Sequence, residues 1–163
     1  QRMYAYQFDG YWKDVGTISS LWEANMDVLK GDEFNLDDDK WKIYARNNAE
    51  PPHYVAPTGN VINCLVSEGT VINGTVKNSI VSNSVKIGKN AYIEESVIMP
   101  GAVIEDGADV RYSIVGWNAV VGKNSMVGET LEHCNPGEWK ISVIAPNYTL
   151  APNSVVGANE MIG

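Results

Sequence analysis

The residues most able to do chemistry gather near the front of the chain. Tyr11-Trp12-Lys13-Asp14-Val15-Gly16-Thr17 sets two aromatics, a cation, a carboxylate and a glycine within one short segment. Taken alone, Asp14 reads as a loop aspartate capping the helix that follows. Other candidates are scattered. Asp32, Glu33, Asp37, Asp38 and Asp39 form an acidic stretch without calcium-loop spacing, which reads as a solvated face. His133 could act as a general base, but a lone histidine without its context is a weak signal. Cys64 and Cys134 show no CxxC spacing, so neither a zinc site nor a disulfide framework is encoded, and two reduced, partly buried thiols are expected. Lys86, Lys89, Arg111, Lys123 and Lys140 are scattered cations, which usually serve only solvation.

Composition narrows the partners. A formal charge of -8 and a pI near 4.7 oppose a phosphate backbone, because nucleic-acid binders present a basic stripe that displaces counterions. No apolar run approaches the roughly 20 residues of a membrane helix. A soluble, cytoplasmic protein with one respectable core and an appendage is expected at this length.

The front segment needs elements to hold it. Met3-Tyr4-Ala5-Tyr6-Gln7-Phe8 alternates and is rich in aromatics, which predicts a strand. After the loop, Ile18, Leu21, Trp22, Asn25, Met26 and Leu29 trace one helical face. Thr17 and Ser20 stand at cap positions, Ser20-x-x-Glu23 has capping-box spacing, and Gly31 supplies a stop. Trp22 and Met26 read as packing residues. A second strand-like piece covers residues 41–46. Pro51-Pro52-His53-Tyr54-Val55-Ala56-Pro57 then predicts an extended connector.

The rest is periodic. Ser79-Ile80-Val81, Ser96-Val97-Ile98 and Ser113-Ile114-Val115 recur at a spacing of 17. Ile87, Ile104 and Val121 form a second column, and Ile93, Val110 and Val127 a third. Steps of six, six and five residues describe a triangular prism, with one aliphatic side chain per side pointing inward. Ala91, Ala108 and Ser125 recur as small residues before a corner, and Gly and Asn fill the bends. Upstream, Val66, Ile72 and Val76 lead into Val81 with shortened steps, placing an imperfect first turn near Thr58. The pattern breaks at about Gly128 and resumes as Ile144, Leu150, Val156 and Ile162, so residues 129–142 read as an extruded loop. An antiparallel sandwich would show turn signals at 8–12 residues without fixed phase. The expected division is residues 1–31, a linker at 32–57, and a coil at 58–163.

Ile87-Gly88-Lys89-Asn90-Ala91-Tyr92 and Val121-Gly122-Lys123-Asn124-Ser125-Met126 resemble the hexapeptide repeat, whose known members coil left-handedly. Handedness comes from that resemblance. Phe8-Asp9-Gly10 leading into the Tyr11 to Thr17 segment, followed by Leu21-Trp22-Glu23-Ala24-Asn25-Met26-Asp27-Val28-Leu29, is similar to the end of the catalytic domain in the glucose-1-phosphate adenylyltransferase family. The resemblance covers the whole chain in order. It implies a mainly β chain, a left-handed parallel β-helix preceded by a short α/β remnant of a nucleotidyltransferase domain. It also implies formation of ADP-glucose and pyrophosphate from ATP and glucose 1-phosphate, for glycogen synthesis. Asp14 then matches the aspartate that supplies one carboxylate to magnesium. Gly16 would let the backbone approach the sugar phosphate, with Tyr11, Trp12 and Lys13 flanking it. A homo-oligomer, tetrameric in the family, and a sugar-phosphate effector site on the coil are implied as partners, and Lys86, Lys89, Arg111, Lys123 and Lys140 could meet that effector. The glycine-rich nucleotide loop and second metal carboxylate are not in these residues, so this polypeptide alone is expected to be inactive. Two alternatives are a hexapeptide-repeat acyltransferase using His133 and a non-catalytic regulatory subunit of the same family.

Overall fold

In the computed structural model, described for residues 2–31, 36, 38–40, 42–44, 49–129 and 141–163, the repeat winds into a three-sided parallel β-helix. Each face is a parallel sheet of six short strands. The first face stacks Tyr54–Val55, Val71–Ile72, Lys86–Ile87, Val103–Ile104, Val120–Val121 and Thr149–Leu150. The second stacks Asn60–Ile62, Thr75–Lys77, Tyr92–Glu94, Asp109–Arg111, Met126–Val127 and Val155–Val156. The third stacks Leu65–Val66, Ile80–Val81, Val97–Ile98, Ser113–Val115, Ser142–Ile144 and Met161–Ile162. This is the left-handed β-helix of hexapeptide repeats.

Register follows the sequence columns. Ile87, Ile104 and Val121 pair in line, as do Ile93, Val110 and Val127, and Val81, Ile98 and Val115. All nine point inward and are at most 1% exposed. Equivalent corner residues lie 17 apart in the regular coils, as Asn78 and Glu95 do, and 15 apart in the early ones, as Asn63 and Asn78 do. The break after Gly128 adds residues without changing phase. Asn118 and Asn147 are neighbours at a separation of 29, and Ser142–Ile144 resumes beside Ser113–Val115. The first strand lies at Tyr54–Val55, upstream of the Thr58 start, because Tyr54 N–H and Ala56 N–H bond the Thr70 and Ile72 carbonyls of the next coil.

Corners are built from polar and left-handed residues. Ser79, Ser96 and Ser113 are fully buried. Each hydroxyl donates to the carbonyl two residues back, at 2.6, 2.8 and 2.6 Å. The N–H groups of Ser96 and Ser113 donate to the serine hydroxyl of the coil before, at 3.1 and 3.2 Å. A buried backbone donor left without a partner is costly, so this ladder makes the corner tolerable inside the stack. The residues just before these serines, Asn78, Glu95 and Tyr112, all carry positive φ. For Glu95 and Tyr112 that is an uncommon conformation, held by the surrounding coil.

One helix precedes the coil: Ile18–Lys30, α1. Its N-cap is Thr17, whose side chain accepts from Ser20 N–H at 3.1 Å, while the Ser20 hydroxyl accepts from Thr17 N–H at 3.0 Å. The capping box is therefore Thr17 with Ser20, not Ser20 with Glu23. Ser20 already sits inside the helix, and Thr17 has the extended backbone a cap requires. Gly31 closes the helix with φ 69°, as the stop signal implied.

The strand expected at residues 3–8 does not form. Met3, Tyr4 and Tyr6 are 86–94% exposed, and no described strand lies beside them to complete a ladder. Alternation alone cannot hold a strand without a partner. The expected α/β character of the front is thus reduced to α1. Ile43 and Tyr44 are likewise exposed and outside any strand, and the rest of the piece at 41–46 is outside the described residues except Lys42.

Candidate functional site at the front of helix α1

α1 is seated on the third face of the prism, and the Ser-Ile-Val tripeptide explains why. Successive residues of a strand point to opposite sides. With Val81, Ile98 and Val115 inward, Ile80, Val97 and Ile114 point outward and form an apolar stripe. Val97, Ile114, Tyr112 and Ile141 join Met26 in a second buried cluster, with Ile18, Leu21, Trp22, Leu29, Ile80 and Met99 packed around it. Trp22 anchors the contact. Its indole N–H donates to the Glu95 carbonyl at 2.7 Å, and its ring lies 6.2 Å from that of Tyr112. Both partners are the left-handed corner residues, so the strained corner presents a carbonyl and a phenol ring to the helix.

Residues 11–14 run beside α1 with alternating exposure. Tyr11 and Lys13 are partly buried, while Trp12 and Asp14 are exposed. Lys13 Nζ contacts Asp27 at 2.7 Å and Glu23 at 3.2 Å. The Tyr11 hydroxyl donates to Asp27 at 3.2 Å, and Lys30 contacts the other Asp27 oxygen at 3.0 Å. The hydrogen bond from Lys13, then that from Lys30, drives the Asp27 carboxyl from its ordinary 3.8 down to about 2. The Lys13 ammonium is held above its usual value, chiefly by the same Asp27 bond.

The five front residues expected to form the site therefore divide. Tyr11 and Lys13 meet on Asp27. Trp12, 76% exposed, and Asp14 lie on the opposite side of the segment, and Asp14 makes no hydrogen bond or ion pair among the described residues. Asp14 does not cap α1, since Thr17 holds that place. At Gly16 an added β-carbon would meet Asp14 Oδ1 at 3.5 Å, an ordinary contact, so the local fold does not itself require glycine there. No cluster of three or more metal-ligating side chains occurs among the described residues.

Asp27 and Glu23 escaped the sequence reading as functional residues. Their signal was two carboxylates four apart on one helical face, directly after a lysine-bearing segment.

Of the cations proposed for an effector, Arg111 and Lys123 are engaged by carboxylates. Arg111 bonds Asp109 at 2.7 and 2.9 Å and lies 4.6 Å from the Tyr92 ring, and Lys123 reaches Asp106 at 3.7 Å. Lys86 and Lys123 share a shallow groove with Glu105 and Asp106 on the first face, so its charge is mixed. Lys89 gives its backbone N–H to Asp106. Lys140, His133 and Cys134 lie outside the described residues. Cys64 is a free, partly buried thiol whose pKa is pushed up by burial.

A hexapeptide prism with a helix docked on one face, reached through an exposed aspartate-bearing segment, defines a hexapeptide-repeat protein with a further module ahead of the coil. A family model described as "GlmU-like, C-terminal hexapeptide" matches residues 52–143, and one described as "Nucleotidyl transferase" matches residues 1–31. The chain belongs to the GlmU-like C-terminal hexapeptide family. It is 40% identical over 157 residues to the glucose-1-phosphate adenylyltransferase of Desulforamulus reducens, covering 96% of this chain and 39% of that protein. It is 44% identical over 170 residues to the enzyme of the same name from Acetivibrio thermocellus, covering 98% of this chain and 39% of that protein. For the Bacillus mycoides counterpart the figures are 42% over 128 residues, 78% of this chain and 34% of that protein. The chain thus spans less than two fifths of the length of these curated relatives. Among the described residues, no helix is long and apolar enough to cross a membrane.

Proposed function

We propose that this chain is the C-terminal part of a glucose-1-phosphate adenylyltransferase, which joins glucose 1-phosphate to the α-phosphorus of ATP and releases pyrophosphate. The carrying observation is the exposed Trp12 and Asp14 side of a segment clasped to α1, in a chain 40–44% identical to enzymes of that name over nearly its full length. Residues 1–31 are the tail of the nucleotidyltransferase domain, 32–57 the linker, and 58–163 the coil with a loop at 129–142. The two family matches, which end at 31 and begin at 52, support that division, although the first coil strand lies within the linker as drawn.

Asp14 fits a magnesium site as one ligand. That ion typically takes one or two carboxylates, with water and substrate phosphates completing the octahedron, and Asp14 offers a carboxylate without a protein partner among the described residues. When bound, magnesium would neutralise charge on the reacting phosphate oxygens. Trp12 offers an aromatic surface to the sugar, and Gly16 leaves space for its phosphate. Tyr11 and Lys13, engaged by Asp27 on the α1 side, back the segment from behind and hold the Trp12 and Asp14 side toward the ligand. The coil holds α1 in place, and its sheet faces and ends serve a homo-oligomer and a sugar-phosphate effector.

The test is pyrophosphate release from ATP and glucose 1-phosphate with magnesium, using the full-length protein. Turnover is expected, with an Asp14→Asn loss of about a hundred-fold or more. No expected turnover comes from a polypeptide of these 163 residues alone, because one carboxylate and no nucleotide loop cannot position both substrates. Full activity of Asp14→Asn would refute the metal role, and preference for another nucleotide would refute the adenylyl assignment.

A further inference from the structure

The geometry points to Asp27 as a positioning residue: its carboxylate clasps Lys13 and Tyr11 against α1 and so fixes the side on which Trp12 and Asp14 meet substrate. The inference rests on the adenylyltransferase reading above and adds to it a residue outside the Tyr11 to Thr17 segment.

Three facts carry it. Asp27 collects three donors, Lys13 at 2.7 Å, Lys30 at 3.0 Å and the Tyr11 hydroxyl at 3.2 Å, with a side chain only 19% exposed. Among the described residues Glu23 touches only Lys13, at 3.2 Å, and is 53% exposed, so it supports the clasp without forming it. The alternation of residues 11–14 makes the consequence geometric. In an extended segment, holding residues 11 and 13 on one side puts 12 and 14 on the other. Tyr11 and Lys13 are the only residues of that stretch bonded to α1 among the described contacts.

The seat of the clasp is rigid. Asp27 follows Met26, the one buried residue of α1, and the helix is pinned further back by Trp22 on the Glu95 carbonyl. Chemistry that depends on placement loses rate when a group drifts by about 1 Å. Lys13 therefore acts chiefly through Asp27, with its charge compensated by two carboxylates and not held in reserve for a phosphate.

The experiment uses the full-length enzyme with four variants: Asp27→Asn, Asp27→Glu, Lys13→Met and the double Asp27→Asn/Lys13→Met. Steady-state kinetics are read separately for glucose 1-phosphate and ATP, with calorimetric binding of glucose 1-phosphate and the thermal midpoint alongside. Asp27→Asn is expected to lower kcat/KM for glucose 1-phosphate by about ten- to a hundred-fold while the coil's midpoint holds. Asp27→Glu should restore most of it. The double variant should lose no more than the worse single one, since two halves of one clasp are not additive. If Asp27→Asn disturbs folding, Lys13→Met carries the test, because it leaves Asp27 paired with Lys30. Wild-type turnover with unchanged Asp27→Asn and Lys13→Met kinetics overturns the inference alone, as does simple addition of the two losses. Absence of wild-type turnover overturns the activity reading, and the inference with it.

Discussion

Replacing Trp22 by alanine should undock α1 while leaving the coil intact. The indole is mostly covered, and burying about 150 Å² of it is worth about 4 kcal/mol at 25 cal/mol/Å². The bond to the Glu95 carbonyl adds about 1 kcal/mol, but that carbonyl can be rehydrated once the helix lifts. A net cost of about 4 kcal/mol raises the opened population of α1 roughly a thousand-fold. The coil should not follow, because its own core is a separate ladder that contains no α1 residue. A helix of 13 residues without its docking face is marginal in water, so α1 should melt as it leaves. Amide hydrogen exchange on wild type and Trp22→Ala reads both halves at once. Amides from Leu21 to Leu29 should exchange about a thousand-fold faster, and those of Ile98, Val110 and Val115 at unchanged rates. Trp22→Phe, which keeps the ring and removes the donor, should cost about 1–1.5 kcal/mol. Unchanged protection in α1, or an equal loss of protection in the coil, would refute the separation of the two clusters.

Other perturbations probe the remaining interactions. Ile104→Ala removes a side chain 1% exposed between Ile87 and Val121 and should cost about 2–5 kcal/mol by denaturant unfolding, whereas Val155→Ala, 72% exposed, should stay within about 0.5 kcal/mol. Ser96→Ala breaks the corner ladder by removing the hydroxyl that accepts Ser113 N–H, and should cost about 1–3 kcal/mol in the same assay. The Asp27 carboxyl, lowered from 3.8 to about 2 by Lys13 and Lys30, stabilises the folded state fully above the ordinary carboxylate pKa. That contribution is lost as pH falls from about 4 through about 2. A carbon-detected titration of Asp27 should show the low midpoint in wild type and a rise toward the ordinary value in Lys13→Met.

Most of the coil could be read from its columns because each aliphatic position answers to one constraint, the narrow interior of the prism, and that constraint repeats every turn. The resumption at Ile144 was legible for the same reason: however long the intervening segment, phase must be restored for Ile144 to stack on Val115. The doubled aliphatics of Ser-Ile-Val were seen as one signal and are two. Val81, Ile98 and Val115 fill the coil, while Ile80, Val97 and Ile114 face α1. A repeat shows which residues are equivalent, but not what lies against the outside of the stack.

The front of the chain failed for a related reason. Residues 3–8 have the pattern of a strand, and a strand exists only where another supplies its hydrogen bonds. In the candidate site, the family resemblance pointed to Tyr11, Trp12, Lys13, Asp14 and Gly16 as one group. Their division into a clasped pair and an exposed pair depends on Asp27, a turn further along α1 than the cap signals reach. Ser20-x-x-Glu23 has the right spacing for a box, yet Thr17 is one turn earlier and takes the role.

The docked arrangement of helix on prism is tested most directly by methyl and indole proximities in solution. In a protein with labelled Ile and Val methyl groups, Trp22 ring protons should show nuclear Overhauser contacts to Val97 or Ile114. They should show none to Ile98 or Val115, whose methyls should contact each other and the interior valines. Contacts from Trp22 to Ile98 or Val115, or none to either set, would contradict both the parity of the third face and the seat it provides for α1.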